Sequence, residues 1–140
     1  MTKKLPQCLR KLGLTSKDIF FDDELSDEFI HDKRRLRWNR MKKRYGFDDR
    51  ELWDLDFTLA VYIYPRLKYF REHYANDFHP CDVADSEEWK NILDTMLFAF
   101  EDTLKKDSRD SLEVDDYKAY NDKIAEGLML FGKYFQSLWW

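Results

Sequence analysis

An all-α fold is what the sequence predicts, and three observations carry that prediction. Glycine and proline number only four and three, too few for the turns an all-β chain needs about every 8–12 residues. Apolar residues recur at i, i+3, i+4 and i+7 over several long stretches, the period of a helix buried along one side. Aromatic residues make up 17% of the chain beside 37% charged residues, a balance that suits a packed core under a solvated surface rather than a disordered chain. A chain of 140 residues fits one domain. The expected architecture is therefore a single-domain bundle of three or four main helices, with residues 1–45 as a charged helical extension and 46–140 as the core.

The extension is divided by charge. Residues 18–32 hold the acids Asp18, Asp22, Asp23, Glu24, Asp27, Glu28 and Asp32, and residues 33–44 hold Lys33, Arg34, Arg35, Arg37, Arg40, Lys42, Lys43 and Arg44. Phe29, Leu36 and Trp38 leave only a thin apolar stripe. The spacing predicts a solvated helix from about Asp27 to Arg44, stopped by Gly46.

The next helix opens at Asp48, because Asp48-x-x-Glu51 has the form of a capping box. Leu52, Leu55, Leu59 and Ile63 follow at helical spacing and are the expected core face. Pro65 lacks an N–H and its ring clashes one turn back, so a kink is expected near Val61–Tyr64, or a stop and restart at Pro65. Residues 75–85 read as a loop. A third helix starts at Ser86, capped by Asp85 or Ser86, with Trp89, Ile92, Leu93, Met96, Phe100 and Leu104 on its buried face and an end near Lys105. The last helix runs from about Asp115 to Trp139-Trp140, with Tyr117, Tyr120, Ile124, Leu128, Phe131, Phe135 and Leu138 expected inside.

Several functional classes fall away on composition. A formal charge of −4 argues against sequence-independent binding along a phosphate backbone, and the acidic block can neutralise the basic one. No apolar run approaches the ~20 residues of a membrane span. Cys8 and Cys81 show no CxxC spacing and no leader precedes them, so a reduced, cytoplasmic setting is the simpler expectation. His79-Pro80-Cys81 matches no zinc spacing, and Glu51-x-x-Asp54 fits the carboxylate pairing of a magnesium-dependent nucleotide hydrolase only with Asp54 on the wrong face. No cofactor, no metal and no catalysis are expected.

The stretch FDDRELWDLDFTLAVYIYPRLK, residues 47–68, holds the candidate site. With Leu52 at 0° on a wheel of about 100° per residue, Leu59 falls near 340°, Ile63 near 20° and Asp56 near 40°. Asp56 would thus lie inside the apolar stripe, where an unpaired carboxylate costs several kcal/mol. Arg66 is the nearby cation, and Trp53 and Tyr62 flank the stripe. One reading is a structural ion pair that fixes helix register. The other is a nucleotide-like pocket in which Arg50 and Arg66 hold phosphate, Asp56 reads a sugar or base, and Trp53 and Tyr62 stack on a ring. The same residue types suit a protein partner.

Three segments, RYGFDDRELWDLDFTLAVYIYPRLK (44–68), EEWKNILDTMLFAFE (87–101) and EGLMLFGKYFQSLWW (126–140), resemble a family of small bacteriophage and prophage proteins, notably from gut bacteria. The likeness covers roughly residues 44–140. It rests on Phe47, Asp49, Arg50, Trp53, Leu55, Asp56, Pro65, Arg66, Leu67, Phe135, Leu138 and Trp139, motifs with no known catalytic role. The resemblance implies a phage accessory protein in the host cell, of a kind that often counters host defence. The expectation is a homo-oligomer that sequesters a nucleotide immune signal. The alternatives are an inhibitor that masks a host protein, or a virion or replication component.

Overall fold

The computed structural model describes residues 5–19, 31–105 and 114–140, with only the backbone of Lys17, Val114 and Asp115. Every element among them is helical: α1 (Gln7–Lys11), a 3₁₀ turn (Ser16–Asp18), α2 (Arg35–Tyr45), α3 (Asp49–Trp53), α4 (Leu55–His73), α5 (Ser86–Leu104), α6 (Val114–Tyr134) and a 3₁₀ turn (Phe135–Ser137). The all-α expectation holds. No helix among the described residues is long and apolar enough to cross a membrane. Contacts divide the chain into two compact units, Met1–Val61 and Tyr62–Trp140.

In the first unit, α2 begins at Arg35, later than the Asp27 start expected; residues 31–34 form a turn in which Asp32 accepts from the Arg34 amide at 2.8 Å, and the acidic stretch 20–30 lies outside the described residues. Gly46 ends the helix in the left-handed region at φ 83°, a conformation open to glycine at little cost. The capping box is formed: Asp48 accepts from the Arg50 amide at 2.9 Å, and Glu51 accepts from the Asp48 amide at 3.0 Å.

The interruption after that cap falls at Asp54, with φ −127° and ψ 71°, and not at Pro65. α4 is one element on both sides of Pro65, although the proline has no N–H to return to the Val61 carbonyl. The side of α4 that is covered also differs from the one expected. Leu52, Leu55 and Leu59, expected inside, are 45%, 47% and 49% exposed, and the buried positions of α4 are instead Ala60, Val61, Tyr64 and Leu67.

In the second unit α5 and α6 pack against each other. α5 is capped by Asp85, which accepts from the Glu88 amide at 2.8 Å, and buries Trp89, Leu93, Met96, Phe100 and Leu104. The helices meet closely at Gly127. A Cβ there would clash with the Thr95 carbonyl and lie 2.8 Å from the Ala99 Cβ. α6 ends at Tyr134, short of the Trp139–Trp140 end expected. Of its expected inner face, Ile124 and Phe131 are half-buried while Tyr117, Leu128 and Phe135 are exposed; Gly127 and Tyr134 are buried in their place. The terminal tryptophans dock on rings, Trp140 stacked on Tyr74 at 4.5 Å and Trp139 against Phe78 at 4.4 Å.

Candidate functional site

The charged residues at the start of the stretch 47–68 form a structural knot in the first unit. Asp48 is fully buried and Arg50 nearly so. The guanidinium donates to both carboxylate oxygens, at 3.0 Å from Nε and 2.6 Å from Nη2, a bidentate pair. It also lies over the Trp38 ring at 4.5 Å. Arg34 sits over the same ring at 5.0 Å and over Trp53 at 5.2 Å, and the two tryptophans meet edge to face at 6.0 Å. Lys42 closes the cluster at 2.7 Å from Glu51. Burial raises the Asp48 carboxyl, and the Arg50 hydrogen bonds and charge outweigh it, leaving Asp48 below the usual carboxylate range. Arg34 hydrogen bonds hold the half-buried Asp32 at about 2.

Of the site residues the sequence suggested, Arg50 and Trp53 therefore meet around Trp38, with the Arg50 guanidinium engaged by Asp48. Asp56 is a correction. It is exposed, and its carboxylate accepts from the Phe57 amide at 2.8 Å in the first turn of α4. Its place beside Leu59 and Ile63 on the wheel holds within α4, but that stripe is not the buried side: Leu55 and Leu59 are exposed, and α4 buries Ala60, Val61, Tyr64 and Leu67 instead. The buried carboxylate on which the nucleotide pocket depended does not exist.

Tyr62 and Arg66 are brought together in the second unit. Arg66 donates to the Tyr62 carbonyl at 2.8 Å and its guanidinium lies 3.7 Å from the ring centroid. Both stand on the lip of an open groove of about 210 Å³, lined among the described residues by Tyr62, Ile63, Arg66, Leu67, Phe70, Phe131 and Leu138. Ile63, Leu67 and Phe70 continue along α4 with the spacing of one helix face. Phe131 and Leu138 come from the far end of the unit; the pattern there marks them as inward-facing but not that they meet α4. The groove's one charged lining residue among those described is Arg66.

A second depression of about 350 Å³ runs along α2 and is lined, among the described residues, by Arg37, Arg40, Met41, Arg44 and Tyr45. Its charge is offset in part: Arg37 pairs with Asp49 at 2.9 Å, and Arg34 and Lys42 pair with Asp32 and Glu51. Glu51 of the Glu51-x-x-Asp54 pair is engaged by Lys42, and acids along α5 are paired as well: Glu87 with Lys90, Asp94 with Arg71 and Glu101 with Lys105. No group of three or more His, Cys, Asp or Glu side chains placed to hold a metal occurs among the described residues.

The chain matches no protein-family model, no curated protein and no solved structure. The site's own geometry is thus the basis for function.

Proposed function

We propose that this protein acts without catalysis, by holding a segment of a partner protein in the groove between α4 and the end of the second unit. The observation that carries this reading is an exposed arginine, Arg66, on the lip of an otherwise apolar and aromatic groove. Its volume lies below the roughly 300–1,000 Å³ of small-molecule sites, which favours one or two side chains of a larger partner over a nucleotide. An apolar anchor buried there contributes about 1.5–3 kcal/mol. Arg66 then selects a carboxylate beside the anchor, and the ring of Tyr62 holds the guanidinium in place.

The resemblance to small phage proteins supports a host protein as the partner and interference with host defence as the purpose. Sequestration of a nucleotide-like signal is the second reading. It keeps the Tyr62 ring and the Arg66 cation but loses Asp56, and Arg50 is occupied by Asp48.

Panning a random peptide library on the full chain tests the first reading. Enriched peptides should carry Leu, Phe or Trp with Asp or Glu within about one helical turn. They should be lost on Ile63→Asp, and Arg66→Glu should switch the enriched charge to Lys or Arg. Enrichment indifferent to both variants, or none, overturns the proposal. Incubation with a nucleotide panel, followed by denaturation and recovery, separates the alternatives: an intact nucleotide returned would favour sequestration and a cleaved one an enzyme.

A further inference from the structure

α6 carries two apolar seams, and the second unit uses one. Tyr120, Ile124, Gly127, Phe131 and Tyr134 advance by four, three, four and three residues and form the half-buried to buried side that faces the bundle. Ala125, Leu128 and Gly132 in α6, and Phe135 at the start of the 3₁₀ turn that follows it, advance by three, four and three on the outer side. There Leu128 is 49% exposed, Phe135 62% and the adjoining Met129 74%; Ala125 and Gly132 are exposed too. A helix that is apolar on both sides is characteristically covered on both, and steps of four and three are the seam of a helix pair.

Gly132 is the second observation. It lies inside α6, where glycine disfavours the helix. Unlike Gly127, it gains nothing from its own chain, because a Cβ there would meet no atom within 4 Å.

We infer that the outer seam of α6 pairs with the same seam of a second copy, antiparallel, about a two-fold axis near Leu130. That register sets Leu128 of each copy opposite Gly132 of the other and Ala125 opposite Phe135, so each large side chain faces a small one. A two-fold contact must be self-complementary, and this seam is. The edge beside it carries Asp122 and Glu126 toward one end and, toward the other, Lys133, whose side chain is 60% exposed and whose ammonium has Asp82 of its own chain at 3.5 Å. The antiparallel sense lays Glu126 near the second copy's Lys133, whereas a parallel pair would set like charges together.

Sedimentation equilibrium of the full chain tests the pairing. The unaltered chain should form a dimer. Gly132→Leu, which has open space in its own chain, and Leu128→Gly should each weaken it about tenfold or more, and so should Met129→Glu, at a position too exposed to disturb folding. The double variant Leu128→Gly with Gly132→Leu exchanges large for small on both copies and should regain most of the lost affinity. Circular dichroism checks that each variant is folded. A chain monomeric at every concentration, a dimer indifferent to Gly132→Leu and Met129→Glu, or a double variant as weak as the single ones overturns the inference.

Discussion

Asp48 and Asp56 lie in one short stretch and have the same chemistry, yet their surroundings give them opposite weights. Asp48 is fully buried with both oxygens held by Arg50, so its removal strands a buried guanidinium. Asp48→Ala should cost about 3–5 kcal/mol in denaturant unfolding. Asp56→Ala removes an exposed first-turn carboxylate and should cost less than about 1 kcal/mol. Equal losses would contradict the buried knot. The acid limb of stability follows from the same pair. Asp48 and Glu101 are both held below their ordinary values; burial opposes this in each, and the hydrogen bonds of Arg50 to Asp48, and of Lys105 and Tyr64 to Glu101, outweigh it. A folded-state value below the unfolded one gives stability that is complete above the unfolded value, near pH 4, and is lost as pH falls through the folded one. The stability advantage of the unaltered chain over Asp48→Asn should therefore be flat above about pH 5 and shrink on acidification below 4. A difference that grows on acidification would refute the assignment.

Helix phase, more than helix content, separates the elements that could be read from those that could not. The caps at Asp48, Asp85 and Gly46 were legible because capping depends on one or two residues and their own backbone. So was the face of α5, an uninterrupted amphipathic run from Trp89 to Leu104. The inner face of α4 was not: Leu55, Leu59 and Ile63 keep helical spacing within the helix, yet the side it buries carries Ala60, Val61, Tyr64 and Leu67, and no local pattern says which of two partly apolar sides is covered. The obvious breaker, Pro65, sits inside a helix that continues past it. The two glycines of α6 give the test at this scale. Gly127→Ala should destabilise by about 1–3 kcal/mol, the range for overpacking, because its Cβ would meet the Thr95 carbonyl and Ala99. Gly132→Ala, measured at concentrations that keep the chain monomeric, should stabilise by up to about 1 kcal/mol. Thermal unfolding of the two variants side by side checks both signs.

The full chain relies on packing rather than on cross-links or a metal among its described residues. Cys8 is half-buried and Cys81 exposed, and both are free thiols. Reductant should leave the unfolding temperature unchanged, and a thiol reagent should modify Cys81 well before Cys8. A fall in unfolding temperature on reduction would indicate a disulfide that this fold does not contain. The sequence by itself determined the helical class, the caps and the apolar run of α5, because each follows from local propensity and period. Only the tertiary structure decided which carboxylate is buried and which side chains line the groove. Those outcomes depend on which side of a helix is covered and on residues as distant in the chain as Arg66 and Leu138, and no local rule of spacing reaches that far.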